Sequence, residues 1–351
     1  MHPYEHLPDG NFWRKTVSVQ SWAELAFKPE TKFKLKPSDR IATAGSCFAQ
    51  HMAKRLATFG LAHHVVETPP AFMGAERARE LQYGVFSARY ANLYTVRQLR
   101  QLIEYAFGLR PEASPVCQDK GRWFDLLRPK ITPNGYASLD DLTADRRYHL
   151  ACVRRMFETC DVFVFTLGLT EGWVEVDSGI VFPVAPGTAA GEFDGSRHAF
   201  VNFKHASIEA DLAWCLEFIQ SVNPALRWIL TVSPVPLVAT ATAQPVLVAS
   251  SYSKAVLRAA AGDTADAHAH VEYFPSFEII SSVQSFGQYL ESDLREVSPR
   301  GVNHVMRVFS SSFVEAGAAA ARAPEPRVPS LHEQVALAAQ VECEELLNDR
   351  P

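Results

Sequence analysis

The segment Thr43-Ala44-Gly45-Ser46-Cys47-Phe48-Ala49 carries the clearest local signal of the fold. The segment begins inside an apolar run at residues 41–44, and Gly45 and Ser46 end that run. This pattern is typical of a strand that leads into a tight turn. Apolar residues then recur at helical spacing over residues 49–57. The pattern predicts a strand, a turn and a helix, with Ser46 in the turn.

Apolar runs of this kind alternate with helical patterns along the rest of the chain. Strands are predicted at residues 162–167, 228–235 and 271–274. Helices are predicted at about residues 95–108, 146–159, 208–222 and 253–261, and from Pro299 onward. Because strands that alternate with such helices pair in parallel through crossover connections, we predict a three-layer α/β/α sandwich with a mainly parallel sheet.

The composition is that of an ordinary globular protein. Hydrophobic residues make up 47% and charged residues 21% of the 351 positions. Since α/β sheets often exceed the average domain length, we predict one domain over residues 1–310, with an N-terminal extension at about 1–37. Residues 311–351, which are rich in alanine and proline at first, are expected to form a peripheral helical tail.

Several function classes are disfavoured by the sequence. The formal net charge of −5 comes without any cluster of Lys and Arg, so no nucleic-acid partner is expected. No apolar run reaches the roughly 18 residues of a membrane span, and we expect a cytoplasmic protein. The six cysteines lack disulfide or metal-site spacing, and no phosphate-binding glycine loop occurs, so neither a metal nor a cofactor is expected. The oligomeric state is not predicted.

Ser46 is the first candidate for chemistry. In open parallel sheets, ligands bind beyond the carboxyl ends of the strands, and backbone N–H groups at a helix start can stabilise an oxyanion. A serine before a helix is also a common N-cap, so both roles stay open from the residues alone. The next residue, Cys47, is either a reactive thiol at a helix N-terminus or a small buried side chain.

The segment Gly45-Ser46-Cys47-Phe48-Ala49 resembles the pattern that names the GSCFA family, which is similar to the SGNH hydrolases. Further segments look like that family, in order along roughly residues 3–310: 86–95, 166–173, 231–236, 252–254 and 273–278. The resemblance implies a flavodoxin-like, SGNH-hydrolase-like fold in which Ser46 is the nucleophile. It also implies hydrolysis or transfer of an O-acyl group on a carbohydrate or a similar small molecule with hydroxyl groups.

The resemblance also implies an oxyanion site. SGNH enzymes carry a Gly-x-Asn-Asp block, and the matching stretch is Gly168-Leu169-Thr170-Glu171, with Thr170 in the place of the asparagine. A threonine hydroxyl can still donate one hydrogen bond. For Glu171, three roles stay open: receiving a proton, binding a substrate hydroxyl, or pairing with a basic side chain. The remaining candidates for binding the oxyanion or the substrate are Asn92, Gly45 and Cys47.

The general base is the point where the sequence departs from the SGNH pattern. The family block Asp-x-x-His corresponds to Asp293-Leu294-Arg295-Glu296, so Glu296 stands where a histidine is expected. An ordinary glutamate, with a pKa of about 4, is a poor base unless burial or a like charge such as Asp293 raises its pKa.

Three explanations stay open for this departure. Glu296 is the base, another histidine such as His304 takes the role, or the site only binds its ligand. The rival functions are accordingly a ligand-binding protein without catalysis and a thiol-dependent acyltransferase that uses Cys47.

Overall fold

The computed structural model describes residues 2–28, 30–111 and 115–315. The helices are α1 (Phe48–Leu56), α2 (Ala75–Glu80), α3 (Val96–Ala106), α4 (Leu139–Thr159), α5 (His205–Val222), α6 (Val246–Ala267), α7 (Ser276–Ser281) and α8 (Pro299–Phe313). The strands are β1 (Arg40–Gly45), β2 (Ala62–His63), β3 (Val116–Asp119), β4 (Arg122–Asp125), β5 (Val162–Leu167), β6 (Glu171–Glu175), β7 (Val181–Phe182), β8 (His198–Asn202), β9 (Arg227–Val232) and β10 (Val271–Phe274).

The central sheet is parallel throughout, in the order β10-β9-β5-β1-β2. When these strands are numbered among themselves along the chain, the order reads 2-1-3-4-5, which is the flavodoxin-like arrangement. The predicted strands at 162–167 and 271–274 are present with those bounds. The prediction of a mainly parallel α/β fold is confirmed.

Helices cover both faces of this sheet because successive strand side chains point to opposite sides. Ala42 and Phe163 lie in one apolar cluster with α3, α4, α5 and α6. Their neighbours Ile41 and Val164 lie in a second cluster with α1, α7 and α8. A fully buried side chain such as Phe163 contributes about 1.5–3 kcal/mol, so the two clusters hold the three layers together.

Two smaller sheets were not expected from the sequence. β3 and β4 form an antiparallel hairpin, and β7-β6-β8 form an antiparallel three-stranded sheet. The predicted block Gly168-Leu169-Thr170-Glu171 follows the end of β5, and its last residue, Glu171, is the first residue of β6. Residues 168–170 therefore link the central sheet to the three-stranded sheet.

Some element bounds differ from the predicted ones. α4 begins at Leu139 rather than 146, because its first turns are polar and Ser138 caps them by accepting a hydrogen bond from the Asp141 N–H. α6 is longer at both ends than the predicted 253–261, and α8 runs to Phe313, past residue 310. The predicted C-terminal tail lies outside the described residues from 316 onward.

Candidate active site

Ser46 lies at the topological switch point of the central sheet. β1 is followed by α1 on one face, whereas β5 leads through the three-stranded sheet to α5 on the other face. Where neighbouring strands send their connections to opposite faces, a crevice opens at their carboxyl ends and ligands bind there. Ser46 follows β1 and Gly168 follows β5, so both predicted site segments lie at the carboxyl ends of the two strands that flank this switch point.

Gly45 makes the turn before Ser46 possible. Its φ is +136°, a backbone conformation that residues with a side chain rarely adopt. A Cβ at this position would also clash with the Thr166 backbone, lying 2.7 Å from its nitrogen. The Ser46 N–H donates a hydrogen bond to the Thr166 carbonyl at 3.1 Å, which fixes the serine against β5.

The Ser46 hydroxyl has no structural task in the described part of the chain. The residue is 2% exposed, and its Oγ makes no hydrogen bond. α1 begins at Phe48 with Cys47 as its N-cap, and no side chain caps it, so the N-cap role is not the one that Ser46 performs. An unpartnered buried hydroxyl costs about 1–3 kcal/mol, so the unpaired Ser46 Oγ calls for an explanation other than helix capping.

Gly168 brings the end of β5 close to the serine. A Cβ on Gly168 would lie 3.1 Å from the Ser46 Cβ and 2.9 Å from the Tyr94 carbonyl oxygen. That carbonyl accepts hydrogen bonds from the N–H groups of Gly168 at 3.0 Å and Leu169 at 2.8 Å. The resemblance made the Gly168 N–H a candidate oxyanion donor, but this N–H already donates a hydrogen bond to Tyr94. The close packing of residue 168 against Ser46 and Tyr94 is the clearer reason why a glycine stands there.

Thr170 and Asn92 are the side-chain donors of the predicted set. The Thr170 Oγ1 is buried and has no hydrogen-bond partner, while its N–H donates to the Ser253 Oγ at 3.0 Å. Asn92 is buried, and its Oδ1 accepts from the Gln50 Nε2 on α1 at 3.2 Å. The Thr170 hydroxyl can therefore donate to a bound oxyanion without breaking a hydrogen bond.

Ser253 and Lys254 contact the predicted oxyanion segment, and the sequence alone assigned them no role. Both lie on α6 and are buried. The Lys254 Nζ donates to the Gly168 carbonyl at 2.7 Å, and Ser253 holds Thr170 as described. The segment 252–254 was part of the family resemblance, but only the packing of α6 shows that these residues position residues 168–170.

Asp293 and Glu296 lie in the loop before α8. Val314, just after α8, forms an isolated bridge with Leu35, so the C-terminal end of α8 lies beside the segment that leads into β1. Both carboxylates are exposed, and the Asp293 Oδ1 accepts from the N–H groups of Arg295 and Glu296 at 3.0 Å each. Neither carboxylate is hydrogen-bonded to Ser46.

His304 lies in the second apolar cluster, among the side chains that pack α8 onto the sheet. Its Nδ1 is hydrogen-bonded to the Tyr289 hydroxyl, and the Trp22 and Phe27 rings lie 5.8 and 5.9 Å from its ring. Burial, with a smaller effect of the Arg307 charge, lowers the pKa of His304 to about 4. The imidazole is therefore neutral near pH 7, and it makes no hydrogen bond with Ser46.

Glu171 begins β6 and is 8% exposed. Its two carboxylate oxygens accept from the Thr240 Oγ1 at 2.8 and 3.0 Å. In the part of the chain that the structure describes, no Lys, Arg or His forms an ion pair with it, so pairing with a basic side chain is not the role seen.

Cys47 is 4% exposed, which places its thiol among buried side chains.

No three His, Cys, Asp or Glu side chains within residues 2–28, 30–111 and 115–315 are grouped so that they could hold a metal ion. In the same ranges, each helix is too short or too polar to cross a membrane.

Comparison with known proteins gives one family match. The model of the GSCFA family matches residues 40–309. No curated protein sequence matches this chain. A crystal structure of a carbohydrate esterase family 2 enzyme plus carbohydrate binding domain, from Corynascus thermopiles (Myceliophthora fergusii), is similar at 12% identity with a TM-score of 0.29. The similarity covers 79% of this chain and 65% of that one, so this chain spans just under two thirds of its length.

Proposed function

The chain belongs to the GSCFA family, and we propose that it is a serine-dependent hydrolase or acyltransferase that acts on an O-acyl ester. The alcohol is proposed to be a carbohydrate or another small molecule with hydroxyl groups, and the enzyme to work in the cytoplasm. Ser46 is the proposed nucleophile.

One observation carries this proposal. The Ser46 hydroxyl is buried at the switch point of the sheet, packs beside Gly168, and makes no hydrogen bond. A structural serine at a helix start would cap the helix or bond to a neighbour, because an unsatisfied hydroxyl is destabilising. A hydroxyl that is unpaired at the switch point keeps its lone pairs and proton for a base and an acyl carbon once a substrate is bound.

The proposed reaction uses the described residues as follows. The Ser46 Oγ forms a bond to the acyl carbon while its proton passes to the Glu296 carboxylate, which Asp293 adjoins. The carbonyl oxygen becomes an oxyanion that accepts a hydrogen bond from the Thr170 hydroxyl, with Asn92 as a second donor. The bond to the alcohol oxygen breaks, and the alcohol leaves with the proton. Water or an acceptor hydroxyl then releases the acyl group from Ser46.

Turnover of a small ester such as p-nitrophenyl acetate tests this proposal. Ser46→Ala is expected to abolish turnover while the urea midpoint of unfolding stays the same or rises, because an unsatisfied hydroxyl is removed. Full turnover in folded Ser46→Ala would overturn the proposal.

Two alternatives remain as outcomes of such tests. The absence of any hydrogen bond between Ser46 and a base among the described residues favours a binding protein without catalysis. Ligand binding without turnover in the wild type would support that function. A thiol-dependent acyltransferase would instead lose turnover in Cys47→Ala and react with iodoacetamide at Cys47, whereas the serine mechanism leaves Cys47→Ala active.

A further inference from the structure

A cavity of about 260 Å³ lies between one face of the β7-β6-β8 sheet and the loop at residues 237–241. Trp173 on β6 pairs with Phe182 on β7 and with Phe200 on β8, so these three rings form a row on the same face. Glu171 is two residues before Trp173 and therefore lies on that face as well. All four residues line the cavity.

The Glu171 carboxylate lacks a counter-ion in this cavity. It is 8% exposed, it accepts hydrogen bonds from Thr240, and none of the described basic side chains forms an ion pair with it. Asn202 is directly opposite Glu171 in the ladder, and its Oδ1 is buried without a hydrogen-bond partner. Burying a carboxylate without a cation is expensive, and Thr240 supplies Glu171 with a hydroxyl donor but no positive charge.

We propose that this cavity binds a primary ammonium group of the substrate, with the Glu171 carboxylate as its counter-ion. An ammonium group supplies the missing charge and three N–H donors, whereas a hydroxyl supplies one donor and no charge. The row of Phe182, Trp173 and Phe200 offers aromatic rings beside the carboxylate, and aromatic faces attract cations. The substrate class is then an O-acyl ester that carries a primary amine.

Residues 168–170 connect this cavity to Ser46. Leu169 lines the cavity, and its neighbour Gly168 packs against Ser46. The cavity therefore ends one residue from the glycine that contacts the proposed nucleophile, and we propose that an amine-bearing ester bound there presents its acyl group to Ser46. This step rests on the proposed function, but the binding of the ammonium group does not.

Calorimetric titration with n-butylammonium and with n-butanol tests the proposal directly. The two probes have the same chain and differ in the charged, donor-rich head group. The wild type is expected to bind the amine at least about tenfold more tightly than the alcohol, and Glu171→Gln is expected to lose that preference. Glu171→Asp, which keeps the charge, should retain part of it. Glu175→Gln is the matched control, because Glu175 is on the same strand and pairs with Arg197 at 2.9 Å.

The same titrations on Ser46→Ala separate this inference from the proposed function, because binding needs no nucleophile. Amine preference in Ser46→Ala supports the inference whether or not the wild type is an esterase. Equal binding of both probes to the wild type, or no binding of the amine up to about 10 mM, would overturn it even if Glu171→Gln does not fold. An unchanged preference in folded Glu171→Gln would overturn it as well.

Discussion

Gly168 and Ser46 are packed so closely that a Cβ on Gly168 would lie 3.1 Å from the Ser46 Cβ. This contact joins the ends of β1 and β5 at the switch point, and the Tyr94 carbonyl closes it from a third side. The position of the serine therefore depends on the absence of a side chain at residue 168.

Gly168→Ala is expected to displace Ser46 or the Tyr94 carbonyl. The variant should lose about 1–3 kcal/mol of stability through overpacking and about 100-fold in kcat through misplacement of the nucleophile. Gly172→Ala is the control, since a Cβ there would make an ordinary contact of 3.5 Å with the Val181 Cγ1. Urea unfolding and ester turnover on both variants provide the check. Equal effects at the two positions would contradict this explanation.

Lys254→Met is expected to loosen residues 168–170, which contain the proposed oxyanion donor Thr170. The substitution keeps the volume but removes the Nζ that donates to the Gly168 carbonyl, which leaves a buried acceptor at a cost of about 1–3 kcal/mol. If Lys254 positions residues 168–170, kcat should fall while KM changes little. The exposed Lys204 provides the control variant Lys204→Met. A change in stability with kcat intact would mean that the role of Lys254 is structural alone.

Acid is expected to destabilise the protein through Asp125. Burial by itself raises the pKa of Asp125, but the charges of Arg146 and Arg128 outweigh that effect and lower the pKa to about 2. Because the folded pKa is below the unfolded value of about 4, the carboxylate contributes about 3 kcal/mol at pH values above 4. That contribution is lost as the pH falls from about 4 to about 2.

Asp125→Asn should accordingly be less stable than the wild type by about 3–5 kcal/mol near neutral pH, since the buried Arg128 and the partly buried Arg146 are left short of a partner. The difference should shrink toward pH 2. Urea unfolding across this pH range measures it, with Asp119→Asn, an exposed aspartate of the same hairpin, as control. A difference that does not vary with pH would rule out this linkage.

Glu296→Gln is expected to lower kcat by about 10²-fold or more if Glu296 receives the serine proton. Glu291→Gln, at an exposed position in the same loop, should have no such effect. His304→Ala is expected to reduce stability by removing a buried ring, with turnover per folded molecule unchanged. The opposite result, with Glu296→Gln fully active and His304→Ala inactive, would assign the base to His304.

The strand, turn and helix around Ser46 could be predicted from the sequence because their signals are local. An apolar run, a glycine and a helical repeat are all contained in residues 41–57. The same holds for α3, where Thr95 and Gln98 form the capping box that begins the helix. The parallel pairing of the strands could be predicted from the alternation of strand and helix patterns along the chain.

The rest of the site depends on contacts between distant parts of the chain. β7 has two residues and β6 contains Gly172, so the three-stranded sheet gives no clear periodic signal, although it places Glu171 beside the aromatic rings. The burial of Lys254 depends on how α6 packs against residues 168–170. The family resemblance pointed to Thr170, but only the structure shows that its hydroxyl is unpaired.

The proposed function depends above all on the claim that Ser46 is an activated nucleophile, which covalent labelling can detect. The protein is treated with a fluorophosphonate probe and the adduct is located by mass spectrometry in the wild type, Ser46→Ala and Cys47→Ala. We predict a single adduct on Ser46 that is absent from Ser46→Ala and retained in Cys47→Ala. Folded wild type that takes up no probe, or an adduct that persists in Ser46→Ala, would contradict the claim.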